Sequence, residues 1–195
     1  MEMEITPRQI EIIEAAGKIL TTSGVSGLTI KNIAKEMRFS ESAVYRHFES
    51  KEEIIIALLD FLSETMDNRL EGVILTEENP EGKFKAIFKT LIDFFKKNPQ
   101  FVVAAFSDGL VEESQDINQT LQKLMKVLMK HLMPVIKEGQ QKGVLTTSIT
   151  TEEMVHIVIG TFKLQMFKWK IAGFQFDIGK EGNSMVNALL ILIKR

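Results

Sequence analysis

Residues 28–54 read LTIKNIAKEMRFSESAVYRHFESKEEI, and this stretch decides the fold of the N-terminal part of the chain. Thr29 is a favourable N-cap, and the residues after it predict a first helix over Ile30–Met37 with apolar side chains at i, i+3, i+4 and i+7. Ser40 is the expected cap of a second, shorter helix over about Glu41–Phe48. Two short helices with a tight connection are typical of a helix-turn-helix.

The apolar pair Val44 and Phe48 fixes which way the second helix faces. The two residues are four apart, so they share one face and can pack against Ile33 and Ala34 of the first helix. The opposite face is polar, as expected of a helix whose N-terminal end enters the major groove of DNA. Ser40 opens this helix, and its backbone N–H groups point outward. We expect base contacts from Glu41, Ser42, Ala43 and Arg46, and phosphate contacts from Thr29, Tyr45, His47 and Lys51.

Charge supports this interpretation only locally. The whole chain carries a net charge of −2, which does not by itself indicate a nucleic-acid partner. Residues 29–51 hold five basic and three acidic side chains, whereas residues 52–80 hold one basic and eight acidic ones. By charge alone, an ordinary solvated face is the simpler explanation of the basic excess.

The same residues resemble the DNA-binding signature of the TetR/AcrR family of regulators. The resemblance is carried, in order, by Thr29, Ile33-Ala34, Ser40, Tyr45-Arg46-His47-Phe48 and Lys51-Glu52-Glu53-Ile54, with Ala15, Ala16, Leu20 and Gly24 upstream. It covers about 45 residues. This chain departs from the family pattern at Arg38, because the family usually has glycine in the turn. A left-handed Arg38 would cost about 1 kcal/mol, and its side chain could instead recruit a phosphate.

The resemblance implies a fold of nine or ten helices, dimerisation through the last two helices and a ligand cavity in the C-terminal bundle. It also implies that the protein releases DNA when the ligand binds.

The rest of the chain is predicted to be helical as well, which gives an all-α fold of about nine helices. Ser50-Lys51-Glu52-Glu53 reads as a capping box, and no proline or glycine follows until Gly72, so a long helix is expected here. This helix would join a three-helix helix-turn-helix head to a C-terminal helical bundle. We place the DNA-binding domain at residues 1–50 and the ligand-binding and dimerisation domain at residues 51–195.

The C-terminal part is rich in phenylalanine and methionine. The chain has thirteen Phe and ten Met, and although plain core packing explains most of them, such side chains also line apolar ligand cavities. The residues predicted to line one are Phe88, Phe95, Phe106, Met125, Met129, Phe162 and Met166. Polar side chains that could anchor a ligand there are Asp93, Asp108, His131, His156 and Gln165.

The two last helices are apolar on broad faces, which predicts either a symmetric four-helix interface between two copies or burial inside one protomer. The residues predicted to form the interface are Ile157, Thr161, Leu164, Met185, Ala188, Leu189 and Leu192.

Other functions find little support in the sequence. There is no cysteine, the three histidines lie far apart without metal-ligand spacing, and no phosphate-binding loop or nucleophile motif occurs. We therefore expect no enzyme activity, metal or cofactor. No apolar run is long enough to span a bilayer, so we expect a cytoplasmic protein without a membrane partner.

These observations predict a homodimeric transcriptional regulator, a repressor that leaves a pseudo-palindromic DNA operator when a small, largely apolar effector binds. The alternative is a helical protein-interaction module that binds no DNA.

Overall fold

The computed structural model describes residues 5–106, 108–111 and 114–195, and within these ranges it consists of ten helices and no strand. In chain order they are α1 (Pro7–Gly27), α2 (Ile30–Met37), α3 (Glu41–Tyr45), α4 (Lys51–Ile74), α5 (Pro80–Lys97), α6 (Pro99–Ala105), α7 (Asp108–Val111), α8 (Gln115–Gln141), α9 (Thr151–Ile171) and α10 (Ile178–Ile193). The predicted all-α architecture is confirmed. None of the helices in the described residues is long and apolar enough to cross a membrane.

The head consists of α1, α2 and α3. Helix α1 begins with a capping box between Thr6 and Gln9 and is kinked at Gly24, whose φ of 66° favours glycine. Helix α2 begins at the predicted Thr29 cap and ends at Arg38 in the left-handed conformation, with φ 57° and ψ 41°. The helix-turn-helix predicted from the capping and apolar residues is therefore present.

Helix α3 is shorter than predicted. It ends at Tyr45 rather than Phe48, because the N–H groups of both His47 and Phe48 donate to the carbonyl of Val44 at 2.9 and 3.2 Å. This tight turn brings Phe48, which is 3% exposed, into the core beside Val44. The turn then places Ser50 to start the next helix.

Helix α4 is the long helix that joins the two parts of the chain. Its N-cap Ser50 accepts a hydrogen bond from the Glu53 N–H at 3.1 Å, and the Glu53 carboxylate accepts one from the Glu49 N–H at 2.5 Å. Near its start α4 packs on α1, and further along it packs on α5 and α8. Helix α4 contributes buried residues from Ile54 to Leu70.

The bundle core is built around aromatic side chains of α5, α6 and α9. Phe88 lies at the centre, with ring centroids 4.9 Å from Phe84 and 5.4 Å from Phe162. The ring centroids of Phe95 and Phe106 are 5.9 Å apart. Most of the phenylalanine side chains therefore belong to the core, as expected if plain core packing explains their abundance.

Candidate DNA-binding surface and effector cavity

Val44 orients α3 in the head. It is fully buried, as is Ile33 of α2, so the opposite face of α3 points to solvent. The predicted base-contacting residues Glu41, Ser42 and Arg46 are exposed there, whereas Ala43 is half-buried.

The predicted phosphate contacts border the same face. Tyr45 is 52% exposed, and the Thr29 hydroxyl caps α2 by accepting a hydrogen bond from the Asn32 N–H at 3.1 Å. His47 is half-buried, and its carbonyl accepts a hydrogen bond from the Gln9 side chain of α1 at 3.3 Å. Lys51 is half-buried at the start of α4.

Ser40 is exposed and caps α3. Its hydroxyl accepts a hydrogen bond from the Ala43 N–H at 3.2 Å and lies 2.9 Å from the hydroxyl of Ser42. The cap uses only a lone pair of the Ser40 oxygen. One hydroxyl of Ser40 and Ser42 can therefore still donate a hydrogen bond to an acceptor outside the protein.

The charge of the head is concentrated in unpaired basic side chains. Glu36 of α2 is neutralised by an ion pair with Lys18 of α1. Four exposed basic residues form no ion pair with any residue that the structure describes, namely Lys31, Lys35, Arg38 and Arg46. The head therefore presents a net positive surface around α2 and α3, although the whole chain is slightly acidic.

A largely apolar cavity of about 170 Å³ lies in the bundle between α4, α5, α8 and α9. Four of the predicted ligand-binding residues line it: Phe95, Phe106, Met125 and Phe162. The three other predicted residues do not line this cavity. Phe88 and Met166 are fully buried in the protomer core, and Met129 is half-buried elsewhere on α8.

Lys163 of α9 also lines the cavity, and the sequence reasoning missed it. The available signal was its spacing, since Ile159, Phe162 and Lys163 stand at i, i+3 and i+4 and so share one side of α9. The polar residues considered as anchors, Asp93, His131, His156 and Gln165, do not line the cavity, and the side chain of Asp108 lies outside the described residues.

Two ion pairs bridge α4 and α8 beside the cavity, and we call them the α4–α8 ladder. Asp60 binds Lys123 at 2.6 Å, and one heptad further along both helices Asp67 binds Lys130 at 2.9 Å. His131, 7% exposed, places Nε2 2.6 Å from the Asp67 carboxylate. The hydrogen bond from Lys130, assisted by that from His131, lowers the pKa of Asp67, although partial burial opposes the shift.

An exposed apolar face runs along α9 and α10. Ile157 is 50% exposed, Leu164 59%, and Ile191 and Leu192 each 76%. Of the predicted interface residues, Ile157, Leu164, Ala188 and Leu192 are exposed on it, while Thr161 and Met185 are half-buried. Leu189 was assigned wrongly, because it is 3% exposed and belongs to the protomer's own core. Such a broad apolar face is typical of a protein–protein interface.

Two family models match successive parts of the chain. Residues 12–58 match the family model of bacterial regulatory proteins of the tetR family, and residues 62–175 match that of the tetracyclin repressor-like C-terminal domain. The nucleoid occlusion factor SlmA of Alteromonas mediterranea is 27% identical over 154 residues, which are 79% of each chain.

Two solved structures illustrate how widely the fold is shared. The transcriptional regulator FadR from Bacillus subtilis, in complex with stearoyl-CoA, superposes with a TM-score of 0.82 at 19% identity over 93% of this chain and 97% of that one. The ketosteroid transcriptional regulator KstR2 of Mycobacterium tuberculosis also superposes with a TM-score of 0.82, at 19% identity over 98% of this chain and 97% of that one.

An exposed reading helix, a separate apolar cavity and an apolar face on the last two helices define a ligand-responsive DNA-binding transcription regulator that acts as a dimer. The chain belongs to the TetR family of bacterial regulatory proteins.

Proposed function

We propose that this protein represses transcription by placing α3 of each protomer in the major groove of a pseudo-palindromic operator, from which a small, largely apolar effector releases it. The observation that carries the proposal is the orientation of α3. Val44 and Phe48 are buried, so the polar side chains of the helix point away from the head, beside four basic residues without ion pairs.

The exposed residues divide into two roles. Thr29, Tyr45, His47 and Lys51 contact phosphates, which supply most of the affinity and fix the register of the head on the duplex. Ser40 positions α3 as its cap, and Ser42, Ala43 and Arg46 reach base edges. Glu41 also points at the groove, where a carboxylate is favourable only if it accepts a hydrogen bond from a cytosine amine.

The cavity in the bundle is the proposed effector site. Its lining from α4, α5, α8 and α9 is apolar apart from Lys163, which suits a small, mostly apolar molecule. FadR, a protein of the same fold, binds stearoyl-CoA, and the long hydrocarbon chain of that ligand supports this choice.

The effector would act on the head through α4. Met66 and Leu70 of α4 line the cavity on either side of Asp67, whose carboxylate holds α4 to α8. A molecule that fills the cavity must move one of these helices relative to the other. Since α4 also packs on α1, the movement changes the separation of the two heads in the dimer.

Two finer assignments follow from the same reasoning. The DNA-binding unit ends where α4 begins, at about residue 50, and residues 51–195 bind the effector and the second protomer. The protein works in the cytoplasm, where its DNA lies, and it needs no enzymatic step.

The decisive experiment compares binding of the purified protein to its own promoter DNA and to random DNA over a range of salt concentrations. We expect a salt-sensitive preference for the promoter, and at least about 100-fold weaker binding by Tyr45→Phe, which removes one hydrogen bond to a charged phosphate from each protomer of the dimer. Because Tyr45 is 52% exposed, the melting temperature should not change. Equal binding to both DNAs would contradict the proposal and favour a head that binds protein.

A further inference from the structure

The polarity of the cavity is uneven. Fourteen residues line it, and among these described residues Lys163 is the only one with a charged or polar side chain. The other thirteen are aliphatic, aromatic or methionine side chains. A neutral apolar effector would need no cation at this site.

Lys163 lies at the mouth of the cavity with its charge uncompensated. Its side chain is exposed and forms no ion pair or hydrogen bond with a residue that the structure describes. Lys123 and Lys130 of the neighbouring α8 are by contrast both paired with carboxylates of α4. Lys170, two turns further along α9, is engaged as well, because it donates to the Phe106 carbonyl at 3.1 Å.

This arrangement distinguishes two regions of the site with different chemistry. The interior favours a hydrocarbon chain, and a carboxylate there would be strongly disfavoured because burial of an unpaired charge is costly. At the mouth, the same carboxylate can stay partly hydrated and accept hydrogen bonds from the Lys163 ammonium group, which are stronger than bonds between neutral groups.

We propose that the effector is an amphipathic carboxylate, with its hydrocarbon chain in the cavity and its single negative charge paired with Lys163. The proposal rests on the assignment of the cavity as the effector site. A free carboxylate is favoured over a coenzyme A thioester, because a thioester brings several phosphate charges and the described lining offers one cation.

The test is calorimetric titration of the intact homodimer with decanoate and with 1-decanol, which share a hydrocarbon chain but differ in charge. Decanoate should bind about tenfold more tightly, as one hydrogen bond between charged groups predicts. Lys163→Met should abolish this preference while leaving decanol binding unchanged, Lys163→Arg should retain it, and Lys163→Glu should favour decyltrimethylammonium instead. Lys126→Met, an exposed α8 lysine outside the lining, is the matched control and should behave as the wild type.

The outcomes separate this inference from the proposed function. If both probes bind and release operator DNA equally well, or if Lys163→Met keeps the preference, the carboxylate assignment is wrong and the effector site stands. If decanoyl-CoA binds more tightly than decanoate, the thioester replaces the free acid and the assignment is again wrong. If neither probe binds, the cavity is not the effector site, whereas the DNA-binding experiment on Tyr45 is unaffected.

Discussion

Among the described residues of the head, Arg38 is the one non-glycine residue whose backbone adopts a conformation that favours glycine. Its φ of 57° and ψ of 41° are left-handed, and this conformation lets the Arg38 and Phe39 N–H groups satisfy the carbonyls of Lys35 and Ala34 at 3.1 and 2.8 Å. A side chain in this conformation costs about 1 kcal/mol relative to the right-handed one. The guanidinium is exposed and forms no ion pair with the described residues, so we expect it to contact a DNA phosphate in the operator complex.

Replacing Arg38 should separate stability from DNA binding. Arg38→Gly relieves the left-handed strain and should raise the free energy of unfolding by about 0.5–1 kcal/mol, measured by urea denaturation. It should also weaken operator binding and reduce the slope of log affinity against log salt by about 1.8, because each of the two protomers loses one phosphate contact.

Arg38→Asn is the control for this change, because asparagine tolerates the left-handed region but carries no charge. It should weaken DNA binding as Arg38→Gly does, with a smaller gain in stability. An unchanged salt dependence in both variants would show that Arg38 only closes the turn.

At the scale of the helices, local signals were enough to predict where α2 and α4 begin. The hydroxyls of Thr29 and Ser50 cap the helices that follow them, as their sequence context indicates. The end of α3 was not predictable in this way. It depends on Phe48 reaching the core, which requires a tertiary contact that shortens the helix by three residues.

It was harder still to predict from the sequence which sides of α9 and α10 are buried inside the protomer. Helical periodicity shows that these helices are apolar on more than one side, but it does not say which side packs inside the protomer. Leu189 and Leu192 are equally apolar, yet one is 3% and the other 76% exposed. Lys163 was missed for the same reason, because only the packing of four helices places it at the mouth of a cavity.

The α4–α8 ladder shows how two elements are held in register. Both ion pairs join residues 63 positions apart, so α4 and α8 run parallel and the pairs repeat every seven residues on each helix. A slide of α4 along α8 would break both pairs together. The ladder therefore favours one discrete arrangement of the two helices, which a ligand that fills the adjacent cavity can shift.

Asp67→Asn tests this role of the ladder. The substitution removes the ion pair with Lys130 and weakens the bond to His131, so the free energy of unfolding at pH 7 should fall by about 1 kcal/mol. The pKa of Asp67 is lowered in the folded protein below its ordinary value of 3.8. Its stabilising contribution is therefore complete above that pH and is lost as the pH falls through the folded pKa.

Urea denaturation of both proteins between pH 7 and pH 3 checks the prediction, since the difference in stability should shrink toward the acid end. Asp93→Asn is the matched control, because Asp93 pairs with Lys89 one turn away on the same helix and should contribute less than about 0.5 kcal/mol. A pH-independent difference would mean that the Asp67 charge does not hold the helices together.

At the scale of the whole molecule, helix α9 borders both the proposed effector cavity and the exposed apolar face. Phe162 and Lys163 line the cavity, while the next residue, Leu164, is 59% exposed on the apolar face. If this face forms the dimer interface, we expect a movement of α9 in response to a ligand to reach the partner protomer within one turn of helix. The cavity would then border the two elements expected to set the spacing of the heads, α4 within a protomer and α9 between protomers.

Leu164→Lys should disrupt the dimer without unfolding the protomer. The side chain is exposed in the single chain, so the melting temperature of the monomer should not fall. In a symmetric apolar interface, however, two lysines would face each other. A monomer has one reading helix instead of two, and loss of the second, linked contact should weaken operator binding by at least about 100-fold. Sedimentation velocity and fluorescence anisotropy measure the two effects.

Leu75→Lys provides the comparison that makes this result specific. Leu75 is 82% exposed at the C-cap of α4 and belongs to neither α9 nor α10, and its replacement introduces the same charge. This variant should remain dimeric and bind the operator as the wild type does. If Leu164→Lys also remained dimeric, the apolar face of α9 would not form the interface, and the spacing of the heads would have to be set by another surface. If it became monomeric but kept its affinity, a single reading helix would be sufficient, and a change in head spacing could not be how the effector releases DNA.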